Sequence, residues 1–263
     1  MNFESDYLFP IVVLIGFIVY TIFHFKVIDL IRVATLSHEK KWKLKNFFGK
    51  NFHYFNQLSD AEKEIFIKRS YRLIYHINII GRQGFNITEE IRFYVIAAYV
   101  QITFGFDYYE LPKFRTILVY PDAYENKMTG KKHYGEVNAK GVIVVSWKRL
   151  VKGHKIADDA INLGLHEMAH ALMNIIIVSN DHEPGLDPYL RNIVMLSKNE
   201  IERIKSEEHH LFRKYASANI YEFFAIAVEN FFETPEKFQK EFPKLYQHLV
   251  LLLKQDPLIK KFR

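Results

Sequence analysis

DDAINLGLHEMAHALMNIII, residues 158–177, carries the pattern that decides how this chain is read. The stretch is apolar and helical in period, with Asp158 or Asp159 placed to cap its start. Inside it stands His-Glu-Met-Ala-His, an H-E-x-x-H motif at 166–170. Positions i and i+4 of a helix differ by about 40°, so His166 and His170 point the same way and can reach one metal ion. Glu167 is offset enough to miss that ion and yet reach a water bound to it, the geometry of a general base beside a zinc-activated water. A pair of histidines within an apolar helix costs desolvation unless paired or ligated.

Zinc needs a third protein ligand, and the candidates C-terminal to the motif are His182, His209, His210, Glu222 and Glu229. No H-E-x-x-H-x-x-G-x-x-H continuation exists, because HALMNI follows the motif. His182 sits in the loop-like SNDHEPGLD, while His209 and His210 fall in the charged run SEEHHLFRK, which reads as a solvated helix face. Glu222 differs, being a carboxylate inside the largely apolar YASANIYEFFAIAVENFF, where it requires a cation or hydrogen-bond partners. Tyr215, seven residues earlier, lies two helical turns away on the same face, and its phenol could donate to a developing oxyanion.

Outward from the motif, the 263 residues contain no cysteine, which excludes a disulfide framework, a thiolate metal site and a cysteine nucleophile. Apolar residues at 49% and charged residues at 25% exclude global disorder. Residues 7–25, YLFPIVVLIGFIVYTIFHF, hold no Lys, Arg, Asp or Glu, and nineteen residues of helix reach about 28 Å. They read as a single membrane-spanning helix. Seven Lys/Arg between 26 and 50 follow it and none precedes it, which places the remainder in the cytoplasm. The net charge of +6 is concentrated there, beside anionic lipid headgroups, and no helix-turn-helix or zinc-finger spacing points to direct nucleic-acid binding.

The rest divides by period. SDAEKEIFIKRSYRLIYHI opens a helix at Ser59 or Asp60, with Ile65, Ile67, Tyr71, Ile74 and Tyr75 as its apolar positions and Gly81 and Gly84 ending it. Thr88 caps a second helix through 105. RTILVYP (115–121) and GVIVVSW (141–147) read as strands, with a polar excursion or hairpin between them. Helical pattern then returns over 158–178, 189–214, 215–233 and 243–254. Without a repeat or linker, residues 51–263 form one α+β domain, after an anchor and basic segment over 1–50.

HEMAH, the Y-x6-E of Tyr215 and Glu222, and EFFAIAVENFFETP (222–235) together resemble the Mlc titration factor A family of zinc peptidases. ITEEIRFYVIAAYVQITFG, ILVYPDAY, GVIVVSW and FPKLYQHLVLLLKQDP extend the resemblance over roughly residues 55–260. It implies a zincin-like gluzincin domain, similar to the catalytic domain of anthrax lethal factor, with a small sheet packed on helices. It implies one Zn2+ held by His166, His170 and Glu222, Glu167 as catalytic base and Tyr215 as transition-state stabiliser. The chain departs from the family pattern at Met168, where Phe is usual, and at Met173, where Asp is usual. The resemblance implies a peptide or protein substrate and, alternatively, a transcriptional regulator that the tethered protein sequesters. GVIVVSW would present its edge to an extended peptide, as zincins generally do.

Overall fold

The computed structural model describes residues 7–20, 36–126, 130–178, 184–206 and 210–259. They fall into two compact units, Met1–Lys43 and Leu44–Arg263. In the first, residues 7–20 form helix α1 with every large apolar side chain exposed. At 1.5 Å per residue this described helix reaches only about 21 Å. Among the described residues no helix is long and apolar enough to cross a membrane, and positions 21–25 of the expected span lie outside them.

The second unit is built around a four-stranded sheet. Its strands are β1 (Asn78–Gly81), β2 (Thr116–Tyr120), β5 (Gly135–Val137) and β6 (Val142–Ser146), in the order β1-β2-β6-β5. The first three neighbours run parallel, with Ile79, Ile117 and Ile143 in one row, while β5 runs antiparallel to β6. A parallel pair needs a crossover, and α5 (Glu89–Thr103), capped by Thr88 Oγ1 on the Ile91 amide, supplies it between β1 and β2. Buried all round, α5 is the centre of the unit. The small hairpin β3 (Tyr124–Glu125) and β4 (Lys132–His133) stands in the polar excursion.

GVIVVSW is not the edge it was expected to be, because β6 is flanked by β2 and β5. The edges are β1 and, on the side of β6, β5, a three-residue strand with too little β-branched character to register in the sequence. β1 was likewise hidden in the tail of the preceding helix pattern. That helix, α4 (Asp60–His76), ends at Ile77 and opens with a reciprocal capping box between Ser59 and Glu62. Its buried face carries Phe66, Ile67, Tyr71 and Leu73, whereas Ile65 and Tyr75 are exposed.

Helices α2 (His38–Asn51) and α3 (His53–Gln57) contribute aromatics to the core. Phe48 packs edge-on against Phe66 at 5.1 Å and Phe52 at 5.6 Å, so residues 44–50 of the basic segment belong to the folded unit. His154, on α6 (Trp147–Lys155), is buried between Phe52 at 4.5 Å and Tyr94 at 5.7 Å. Burial pushes its pKa down to about 3, so this imidazole stays neutral in the fold while it would charge near 6.5 in the unfolded chain. The folded state then binds fewer protons between those values, and stability is lost as pH falls below about 6.5. His154→Phe is expected to make this acid limb shallower, by at most about 1.4 kcal/mol per pH unit, as read from urea midpoints at pH 7 and pH 5.

The motif helix α7 (Leu163–Val178) packs on α5, β5 and β6. Gly164 allows that approach, since a Cβ there would lie 2.8 Å from Ala98 Cβ of α5. Its cap is neither Asp158 nor Asp159. Asn162 Oδ1 accepts from the Leu165 amide, and the helix begins four residues later than Asp159. Helix α8 (Asp187–Ser206) does not extend to the expected 214, since residues 210–213 are not helical and Phe212 is buried against Phe223 at 5.3 Å. Residues 215–233 are two elements, a 3-10 turn (Lys214–Ser217) and α9 (Ile220–Glu233). Asn219 separates them by capping α9 through the amides of Tyr221 and Glu222. Pro235 and Pro243 open α10 (Pro235–Glu241) and α11 (Pro243–Leu253).

Candidate metal centre

Two elements build the centre, α7 and the N-terminal turn of α9, which pack together. His166 and His170 stand one turn apart with rings perpendicular and Nε2 atoms 3.1 Å apart. Glu222 Oε2 lies 3.0 Å from His166 Nε2, and Oε1 lies 3.5 Å from His170 Nε2. Donor atoms of His166, His170 and Glu222 all fall within 4.8 Å of one another, a group that could hold a metal ion.

The opposite edge of the His166 ring sets its tautomer. Nδ1 and Glu229 Oε1 are 2.5 Å apart, and Glu229 is almost fully buried. An ionised carboxylate only accepts, so Nδ1 carries a hydrogen, and Nε2, which faces Glu222, is the nitrogen a cation would take in place of a proton. Arg213 closes the network with a forked pair of bonds to Glu229, at 2.5 and 3.0 Å, and a third bond to the Ala160 carbonyl. Phe212, anchored in the core beside it, fixes where Arg213 starts.

The electrostatics ask for positive charge at this point. Burial opposes a charged His166, but hydrogen bonds to Glu222 and Glu229 outweigh it and push the ring up to about 10. For Glu222, burial would raise the pKa, and the bonds from His166 and His170 hold it well below the usual carboxylate range. Two carboxylates around one imidazole would favour a divalent cation by the same field. Two imidazole nitrogens and a carboxylate are donors that zinc accepts, so these residues fit the metal.

Glu167 lies against β5 while remaining within electrostatic reach of His166, His170 and Glu222. It is buried, its Oε2 has no hydrogen-bond partner among the described residues, and burial pushes it up to about 7. Gly135 makes room for it, since a Cβ on Gly135 would lie 2.1 Å from Glu167 Oε1. A cavity of about 720 Å3 opens beside His166 and Glu167, with Gly135, Leu163 and Tyr215 among its walls. Tyr215 is 57% exposed, and burial of its inner part and the hydrogen bond to Glu222 raise its phenol. It reaches Glu222 from a separate 3-10 turn, not from two turns back along one helix.

The other candidates go elsewhere. His210 is buried rather than on a solvated face, with Nδ1 accepting from the Phe212 amide and its ring stacked on Phe242 at 5.4 Å. His182 and His209 lie outside the described residues. Glu229 touches His166 on the edge away from Glu222. Its signal was present in the sequence, since seven residues from Glu222 returns to the same helix face. Nothing local marked Arg213 or Gly135. Met173 is buried in the core, where a carboxylate would need a partner of its own.

The chain is 26% identical over 230 residues to an uncharacterised protein of Synechocystis sp., covering 80% of this chain and 83% of that protein. It is 25% identical over 224 residues to the Mlc titration factor A of Yersinia pestis, covering 76% and 80%. Yersinia pseudotuberculosis has a Mlc titration factor A with the same identity and coverage. The sequence pattern of the glucose-regulated metallo-peptidase M90 family matches residues 31–254, and the chain belongs to that family.

Proposed function

We propose that the protein is a zinc-dependent peptidase whose metal is held by His166, His170 and Glu222. The observation that carries the reading is the convergence of two Nε2 atoms and a carboxylate beside a buried Glu167 whose Oε2 has no partner among the described residues. Zinc, when bound, acidifies water and polarises a peptide carbonyl. The chain's own residues do the rest. Glu167, with a pKa near neutrality, takes a proton from the attacking water at a carboxylate oxygen and returns it to the leaving amine. Tyr215 turns its hydroxyl from Glu222 toward the oxygen that gains charge. Glu229 and Arg213 keep His166 in the Nδ1–H tautomer. β5, the edge of the sheet beside Glu167, offers its backbone to an extended peptide. Hydrolysis of a peptide library by the full chain should vanish with a chelator and return with zinc; activity indifferent to the chelator would refute the proposal.

Gly135 is a sensitive point in this scheme. Gly135→Ala places a methyl group into Glu167 and the Leu163 side chain, so the base must move. A displacement near 1 Å costs about 100-fold in rate. Turnover should fall by about that factor while circular dichroism is unchanged, and wild-type turnover would sink the positioning argument.

We further propose that residues 7–25 tether the domain to a membrane from the cytoplasmic side. Support comes from the uncharged span, the exposed apolar side chains of α1 and the seven basic residues that follow. The full chain should stay in the pellet on alkaline carbonate extraction, and its release would remove the anchor. A second reading, binding of a transcriptional regulator, rests on the name of the Yersinia relatives. Stoichiometric capture of a regulator by the Glu167→Gln chain, in the absence of turnover by the wild type, would favour it.

A further inference from the structure

The cavity beside Glu167 has lining residues whose chemistry hydrolysis does not use. Lys131 and Lys132 come to it from the β3–β4 hairpin, and Arg149 and Lys152 from α6, where a spacing of three puts them on one face. Arg149 is held over the Tyr134 ring, 4.3 Å from its centroid, which fixes its guanidinium at the wall. Among the described residues that line the cavity, the only carboxylates are Glu167 and Glu229, both at the histidine end. Glu229 is already matched by Arg213. The remaining charged groups of the lining are therefore all cationic, with Ile161 and Leu163 supplying apolar wall. Some 720 Å3 is room for part of a peptide.

We infer that this cavity is a specificity pocket for a carboxylate of the peptide substrate, either an acidic side chain or the chain's C-terminus. The inference rests on the peptidase reading for its substrate but not for its chemistry. An apolar stem ending in a carboxylate would lie along Ile161 and Leu163 and reach cations from two independent elements. Arg149 offers it a planar fork, and the lysines a positive field. The exposed lysines add attraction that salt screens, so discrimination should weaken as ionic strength rises.

The test measures binding and turnover separately on the full chain. Alanine hexapeptides carrying a single Glu at each position in turn, matched Gln peptides, and acid and amide C-termini of each, are titrated against the Glu167→Gln chain. Glu at one position, or the free C-terminal acid, should tighten Kd by about tenfold over its neutral partner, and which of the two does so identifies the source. The double substitution Lys132→Gln with Lys152→Gln, at exposed positions, should remove most of that factor, and Lys152→Glu should reverse it toward a Lys-containing peptide. Equal binding of Glu and Gln peptides, or discrimination that survives the double substitution, would overturn the pocket assignment. A phosphoserine peptide that binds far more tightly than the best Glu peptide would overturn the carboxylate. Wild-type turnover of the Gln peptides tests the peptidase reading alone: turnover without discrimination defeats the pocket, and discrimination without turnover defeats the peptidase.

Discussion

Peptide hydrolysis by the Glu167→Gln chain is expected to fall by about 10^3-fold or more, with zinc content unchanged. The substitution keeps shape and hydrogen-bonding reach but removes the ability to accept a proton. Glu167 lies outside the His166, His170 and Glu222 group, so the donor set is untouched. Stability should not suffer. The carboxyl is buried with one oxygen unpartnered, and its ionisation is already disfavoured up to about pH 7. A neutral amide in the same space costs less than a carboxylate there. Turnover and metal analysis on one preparation check both halves, and hydrolysis that survives would remove Glu167 as the base.

Glu222→Ala should have the opposite signature, loss of metal first and of turnover as a consequence. The change leaves two Nε2 atoms 3.1 Å apart with no carboxylate between them and the helix α9 they face. Zinc content of about one per chain should drop well below that after dialysis against a weak chelator. A ligand that binds only the folded state raises the melting temperature, so added zinc should stabilise the wild type and not the variant. Glu229→Gln separates holding the metal from orienting its ligand. It retains an acceptor for His166 Nδ1 but leaves Arg213 without its forked partner, and zinc affinity should weaken about 10–100-fold rather than disappear. Equal zinc retention in wild type and Glu222→Ala would place the third donor elsewhere, in the first instance at His182.

What the sequence disclosed follows from which interactions are local. The H-E-x-x-H spacing, the Ser59 and Thr88 caps and the β-branched runs of β2 and β6 depend on neighbours within a few residues, and these were legible. Glu222 was legible for a different reason, because a carboxylate among apolar residues signals a partner wherever that partner lies. Arg213 and Gly135 act across the fold, on Glu229 sixteen residues away and from strand β5 on Glu167 of helix α7, and no spacing encodes that. The break at Asn219 was masked by the apolar residues on either side of it, although Asn is a strong cap. His210 was misread because flanking charges describe the run and not the ring, which turns inward onto Phe242. The three residues of β5 carry no pattern of their own and take their place from β6.

Zinc K-edge X-ray absorption on the purified full chain, wild type beside Glu222→Ala, tests the central claim most directly. The account predicts about one tightly held zinc per wild-type chain, with two imidazole nitrogens and carboxylate oxygen among its nearest neighbours, and loss of that signal in the variant. A wild type that binds no zinc, or a zinc whose imidazole and oxygen shell is the same in both chains, would contradict it.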